Sequence, residues 1–276
     1  MVESLGFSPD ARVLIVNCDD FGMSPSINAG VVRAIDGGIA SSCSLMVPCD
    51  AAADAMQILH ERPDIPFGVH LTLVRDSVKQ RWSPICSGEE VPSLLDGSGV
   101  LPLARDIPAL LAQARLGEIE REFRAQIEVV LRAGLKPTHL DWHCLADGGR
   151  GDVLELTLGL ALEYGLAMRG WGDPAREELR RRGLDAIDHD SLDSFSLELD
   201  GKFDRYQQLL RAVPLGLTEW AVHPAACEDE AGVRSSDFEF LVSPQAADTI
   251  RSAQIRVISY QPLRESWRQR LRRPGV

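Results

Sequence analysis

The sequence predicts an α/β fold with a mainly parallel sheet, and within that class a (β/α) barrel in preference to an open doubly wound sheet. Three observations predict it. Short apolar runs alternate with longer amphipathic ones along the chain, the pattern of strand–helix units joined by right-handed crossovers. The length of 276 residues suits a barrel, which commonly uses about 250 as one domain. The ends of the expected strands collect acidic, histidine and arginine side chains, and a barrel gathers its active-site residues at that rim.

Taken in order, Arg12–Asn17 (RVLIVN) is short, apolar and β-branched, as a buried strand should be. Ser24-Pro25 reads as an N-cap followed by proline at the first helical position, and Gly37-Gly38 ends that helix. Ser41–Val47 is a second strand, Asp50–Arg62 a helix stopped by Pro63, and Phe67–Val74 (FGVHLTLV) a third strand. The stretch from about 75 to 117 is rich in Pro, Gly and Ser. It is expected to be a long insertion loop that acts as a lid or binding loop. A helix follows at Glu118–Ala133 with Gly134 as its C-terminal cap, then strand Thr138–His143, helix Val153–Tyr164 and a short strand at Leu166–Arg169. The alternation closes with helix Phe203–Val213, strand Thr218–His223, helix Pro244–Ser252 and strand Arg256–Tyr260. Arg264–Arg273 is expected to be a solvated amphipathic end. One domain spanning 1–276 is expected.

Composition narrows the function. A net charge of −12 argues against nucleic acid as a partner, since phosphates would be repelled. The 45% of apolar residues suffice for a full core. Cys18, Cys43, Cys49, Cys86, Cys144 and Cys227 include no CxxC pair, which fits free, mostly buried thiols in a reducing cytosol. The N-terminus shows no secretion signal and no stretch approaches membrane-spanning length. No GxGxxG or GxxxxGK[ST] follows the first strand, so neither a dinucleotide nor a P-loop site is supported. A cytoplasmic enzyme with no membrane partner is expected.

The strand ends carry the chemistry. The first expected strand runs into Asn17-Cys18-Asp19-Asp20, His70 lies in the third, and His143 ends the fourth. Arg169 ends the next and His223 the one after. Adjacent carboxylates repel; a nearby cation relieves this while leaving one of them free to act as a base. In His139-Leu140-Asp141-Trp142-His143, a period of two puts His139, Asp141 and His143 on one strand face. Asp141 could ligate a metal or orient an imidazole. Pro224 holds His223 extended. Two carboxylates, three imidazoles and a guanidinium from separate segments favour a metal site with an acid/base pair. His60 and His189 read as surface residues. Trp82, in the long loop, is a candidate stacking platform for substrate.

These pieces together resemble a known family. NCDDFGMSPSINAGV, FGVHLTL, PTHLDWH, AMRG and AVHPA followed by VRSSDFEFL are spread from Val13 to about Tyr260. They are similar to the motifs of the YdjC-like carbohydrate deacetylases, relatives of the NodB-like polysaccharide deacetylases. The resemblance implies a deformed TIM-like (β/α) barrel that removes an acetyl group from an N-acetylated sugar. It implies Asp19 as the base, Asp20, His70 and His143 as metal ligands, and His223 as the acid. Arg169 matches an arginine that positions the base. The chain departs from the family where Cys144-Leu145-Ala146-Asp147 follows His143 in place of further histidines, and where His223-Pro224-Ala225 stands for HPG.

A carboxylate with two imidazoles suits Zn²⁺, Mn²⁺, Co²⁺ or, less comfortably, Mg²⁺. The expected partner is an N-acetylated sugar, and a homo-oligomer stays open. Two other classes stay open as well: another metal hydrolase on the same barrel, acting on phosphoesters or cyclic amides, and a non-catalytic sugar-binding relative.

Overall fold

The computed structural model describes residues 2–226 and 232–272, so Cys227 and Arg273 lie outside the described residues. Strand β1 (Arg12–Phe21) is the axis of the sheet and is buried from Val13 onward. One edge pairs with β7 (Gly216–Val222), from Arg12 opposite Gly216 to Cys18 opposite Val222. Its other edge is shared. β8 (Ile255–Ile258) takes Arg12 to Ile15, and β2 (Ser42–Leu45) takes Asn17, Cys18 and Phe21. From β2 the sheet continues through β3 (Phe67–Leu71) and β4 (His139–Trp142) to β5 (Ala167–Met168), while β6 (Leu192–Asp193) lies beyond β7.

All of these pairings are parallel. No pairing joins β5 to β6 among the described residues. The sheet is therefore curled but open, the deformed (β/α) barrel that the sequence predicted. The strands β2, β3, β4 and β7 are buried along their whole length, as parallel strands covered on both faces must be.

The helices follow local rules. Ser24 Oγ accepts from the Ile27 N–H and Pro25 opens α1 (Pro25–Gly37). α2 (Ala52–Glu61) ends before Pro63. α3 (Ile107–Gln113) precedes α4 (Leu116–Arg132), which buries Ile119, Phe123, Ile127 and Val130, a stripe at i, i+4, i+8 and i+11. α5 (Gly151–Tyr164) ends at Gly165, whose φ of +63° is the left-handed cap that glycine adopts without penalty. α6 (Asp173–Arg181), α7 (Lys202–Arg211), α8 (Val233–Leu241), α9 (Pro244–Ser252) and α10 (Gln261–Leu271) complete the outer layer. No helix among the described residues is long and apolar enough to cross a membrane.

The fold corrects the sequence reading in three places. The stretch 75–117 contains α3 and buries Trp82, Val91, Leu94 and Leu101, so it is a segment packed onto the main hydrophobic core. α10 occupies the stretch expected to be a solvated end. It buries Leu263 and Trp267, and the Trp267 indole donates to the Asp185 carbonyl at 2.8 Å. β6, α6 and α8 were not expected. They are short, two residues in β6 and nine each in α6 and α8, and helices of that length depend on tertiary packing more than on intrinsic propensity.

Candidate active site

A β-bulge brings both acidic residues of the pair to one cavity. Alternation along a strand would send Asp19 and Asp20 to opposite faces. The β1–β2 register shifts between Cys18 and Phe21, and Asp20 adopts φ +68°, the left-handed region. Gly22 follows at φ +98°, its N–H held by Asn28 Oδ1 at 2.7 Å. A Cβ at Gly22 would stand 3.1 Å from Leu45 Cδ1 and from the Met46 carbonyl, which accounts for the glycine after Asp-Asp-Phe. Both carboxylates line a cavity of about 410 Å³ together with His70, His143, Arg169 and His223.

Each carboxylate has its own cation. Arg169, just past β5, donates from both terminal nitrogens to the two Asp19 oxygens at 2.8 Å, and Asn17 Nδ2 adds a bond at 2.7 Å. Arg234 on α8 donates to Asp20 Oδ2 at 2.6 Å. Burial pushes both carboxyls up, but Arg169 outweighs it at Asp19, and Arg234 with His143 outweighs it at Asp20. Asp19 is held below the ordinary carboxylate range and Asp20 well below it.

The inner oxygen of Asp20 faces two imidazoles. Its Oδ1 is 3.6 Å from His70 Nε2 and 3.1 Å from His143 Nδ1. His70, in β3, engages Asp141 Oδ1 through Nδ1 at 2.9 Å. That bond places the ring proton on Nδ1 and leaves the Nε2 lone pair towards Asp20. Asp141 is itself held by Ser44 Oγ at 2.5 Å and by Arg169 Nη1 at 3.1 Å. Burial raises its carboxyl, and Arg169 and His70 more than offset this, holding it well below the ordinary range. His143 N–H bonds the Leu71 carbonyl, and its Nε2 meets Asp76 Oδ1 at 2.8 Å. Burial would lower the His143 pKa; Cys144, Asp20 and Asp76 outweigh it and raise the pKa well above the usual imidazole value.

The donors of Asp20, His70 and His143 lie within 4.8 Å of one another. Oxygen and nitrogen donors held at about 2.0–2.2 Å from one ion stand roughly 3.0–3.6 Å apart, and the two spacings at Asp20 Oδ1 match this. The trio therefore fits a divalent cation, with Asp141 as the partner that orients His70.

His223 follows β7 on the same cavity. Its N–H donates to Asp237 Oδ2 at 2.8 Å, its Nδ1 pairs with Ser194 Oγ at 2.7 Å, and Phe195 packs edge-on at 4.5 Å. Asp237 is fixed in turn by the Tyr206 hydroxyl and Lys202 Nζ, each at 2.7 Å. A second buried set stands behind Arg169. Glu219 Oε1 accepts from Arg169 Nε at 2.8 Å and Glu219 Oε2 from the Tyr260 hydroxyl at 2.5 Å. Burial, opposed by Arg169, raises the Glu219 carboxyl.

The structure thus brings together Asp19, Asp20, His70, Asp141, His143, Arg169 and His223. His139 is fully buried below them, stacked on Tyr260 at 3.8 Å and bonded to Thr138 Oγ1. It supports the floor and does not line the cavity. Trp82 is a correction. It is 1% exposed and packs edge-on behind His143 at 6.3 Å, with no face open to a sugar. The segment 75–117 folds inward around it, and Leu101 N–H bonds the Trp82 carbonyl. Trp142, Trp171 and Phe195 supply the aromatic wall.

His60 is exposed, and His189 is half-buried with Nε2 against the Leu215 carbonyl. The thiols of Cys18, Cys43 and Cys49 are buried, Cys86 is half-buried, and Cys144 is exposed. Sequence reasoning missed Asp76, Arg234, Ser194, Glu219 and Asp237. Arg234 and Asp237 lie inside VRSSDFEFL, whose match was a signal without a role. Asp76 and Ser194 carry none.

Comparison with known proteins shows the family. A carbohydrate deacetylase of Thermoanaerobacter pseudethanolicus is 33% identical over 221 residues, covering 79% of this chain and 83% of that protein. A carbohydrate deacetylase of Brevibacillus brevis is 30% identical over 262 residues, covering 91% and 99%. A crystal structure from Enterococcus faecalis, provisionally described as a cellobiose-phosphate cleavage protein, superposes with a TM-score of 0.80 at 26% identity, covering 92% of this chain and 99% of that one. The model of the YdjC-like protein family matches residues 13–252, and the chain belongs to that family.

Proposed function

We propose that the chain is a metal-dependent carbohydrate N-deacetylase, a hydrolase that releases acetate from an N-acetylated sugar, and that residues 1–276 act as one catalytic domain. The observation that carries the reading is the division of labour within the acidic pair. Asp19 is held on a guanidinium, and Asp20 faces two imidazoles across the same cavity. Carbohydrate deacetylase is also the name borne by the relatives in Thermoanaerobacter and Brevibacillus.

Asp20, His70 and His143 would hold the cation, which when bound supplies Lewis acidity to polarise the acetyl carbonyl and acidify water. Its identity among Zn²⁺, Mn²⁺, Co²⁺ and Mg²⁺ is left to assay. Asp19 accepts the water proton. Arg169 keeps that carboxylate ionised and fixes its direction, while Glu219 and Tyr260 hold Arg169 in place. His223, positioned by Ser194 and Asp237, delivers a proton to the departing sugar nitrogen. Trp142, Trp171 and Phe195 line the cavity and offer apolar surface to the sugar.

The test is an acetate-release assay across chitooligosaccharides and other N-acetylated sugars with each metal in turn. Metal-dependent acetate release supports the reading. Phosphate release from phosphoesters without acetate would replace it with a phosphoesterase, and metal-free sugar binding without turnover would replace it with a binding protein.

A further inference from the structure

We propose that Asp76, His143 and Cys144 form a second metal seat at the rim of the cavity, selective for thiophilic divalent cations such as Zn²⁺ and Cd²⁺. Filling it withdraws His143 from the inner trio.

The three donors converge. His143 Nε2 is 2.8 Å from Asp76 Oδ1 and 3.5 Å from Cys144 Sγ, and the thiol is 3.9 Å from Asp76 Oδ1. All three lie within 4.8 Å of one another. Nitrogen, oxygen and sulfur donors at about 2.0–2.3 Å from one tetrahedral ion stand roughly 3.3–3.6 Å apart. The cluster needs only small side-chain shifts to reach that spacing.

Both flanking residues are held in place. Asp76 follows Arg75, which is tied to the Leu101 carbonyl and to Asp96 Oδ2 at 2.7 Å each, and which bridges Leu103 through the backbone. Gln80 Oε1 accepts from the Asp76 N–H at 2.9 Å. Cys144 adopts φ +58°, turning the chain directly after His143 and leaving its thiol exposed beside the ring. Arg234 is the nearby cation, 4.0 Å from Asp76 Oδ2, but its shorter contact is with Asp20.

The donor sets of the two seats differ in kind. The inner trio offers oxygen and two nitrogens, whereas the outer one offers a sulfur, which favours Zn²⁺ and Cd²⁺ over Mg²⁺ and Mn²⁺. On binding, the Cys144 thiol gives its proton to solvent. A neutral imidazole has one lone pair, so His143 serves one seat at a time. When Nε2 ligates the outer ion, the ring proton sits on Nδ1, where Asp20 Oδ1 already stands 3.1 Å away to accept it. The outer seat stands on its own geometry; its inhibitory effect alone rests on the inner trio's role proposed above.

The experiment titrates the whole metal-free chain with Cd²⁺ and follows thiolate-to-cadmium charge-transfer absorption. Wild type is expected to show the band at one thiolate per chain, and Cys144→Ser to lose it. Cys49→Ser and His70→Ala are expected to keep it, because neither residue belongs to the outer set. Asp76→Asn should weaken Cd²⁺ at least about tenfold. A wild type without the band, or a band that survives Cys144→Ser, overturns the proposal whatever the chain's activity proves to be. In Mn²⁺-loaded enzyme, added Zn²⁺ should inhibit, and Cys144→Ser should need at least about tenfold more Zn²⁺ to lose the same fraction of its own rate. Equal sensitivity of the two proteins overturns the inhibitory role and leaves the cadmium result to decide the seat.

Discussion

Arg169 grips both oxygens of Asp19 at 2.8 Å, across 150 residues of sequence. The same guanidinium reaches Asp141 at 3.1 Å and Glu219 at 2.8 Å, so one buried cation organises three buried carboxyl groups.

Replacing Arg169 should therefore invert the pH dependence of stability. In the metal-free wild type, Asp19 and Asp141 have depressed pKa values. Their contribution is present above the unfolded value of about 3.9 and is lost as pH falls through the folded values. In Arg169→Met these carboxyls lose their countercharge and their pKa values rise, so stability increases as pH falls to their protonation. At pH 7 the variant should be less stable by about 3–5 kcal/mol. Urea unfolding of both proteins from about pH 2 to pH 8 should show wild type flat in these terms above about pH 5 and losing stability below it, and the variant gaining stability as pH falls from 8.

Asp19→Asn keeps the shape of the site and the cation ligands but removes the proton acceptor. Turnover should fall by about 10²–10⁴-fold, while calorimetric metal affinity stays within a few-fold of wild type. An Asp19→Asn protein with full acetate release would place the base elsewhere.

His143→Ala should lose both metal binding and turnover, because it removes one of only three inner donors. Chelation of wild type should abolish acetate release, and re-addition of a divalent ion should restore it. Retained activity after exhaustive chelation would count against a metal-dependent reaction.

Ser194→Ala takes away the partner of His223 Nδ1. If His223 is the acid, kcat should drop by about tenfold with little change in KM. The basic limb of the kcat profile should also move, a shift that a purely structural defect would not produce.

Gly68→Ala tests the packing beneath the site. A Cβ there would lie 2.5 Å from the His139 ring, and the ring cannot retreat because Tyr260 stacks on it at 3.8 Å. Overpacking should cost about 1–3 kcal/mol, read as a lowered unfolding midpoint.

Much of this was legible from residue order. RVLIVN and FGVHL are strands because short apolar runs bounded by turn residues have few other places to go, and HLDWH shows its strand by the period of two that puts His139, Asp141 and His143 on one face. The polar residues ending them had to share one rim once the strands were parallel. Asp76 and Ser194 were not legible, and Arg234 only as part of VRSSDFEFL without a role, because short-range sequence carries no information about which surface-type residue a distant segment delivers to the cavity. Trp82 misled for the same reason: a tryptophan in a polar stretch looks exposed until the stretch packs onto the core of the domain.

The sequence by itself determined the alternation of strands and helices, the parallel sheet, and the set of acidic, histidine and arginine residues at its C-terminal rim. Those follow from periodicity and from the types of side chain at strand ends, both local properties. Only the tertiary structure decided that a bulge at Asp20 turns two adjacent carboxylates to one side, that Arg169 and Arg234 each take one of them, and that Cys144 and Asp76 meet on the far nitrogen of His143. These are contacts between segments up to 214 residues apart, and chain folding, not spacing, sets them.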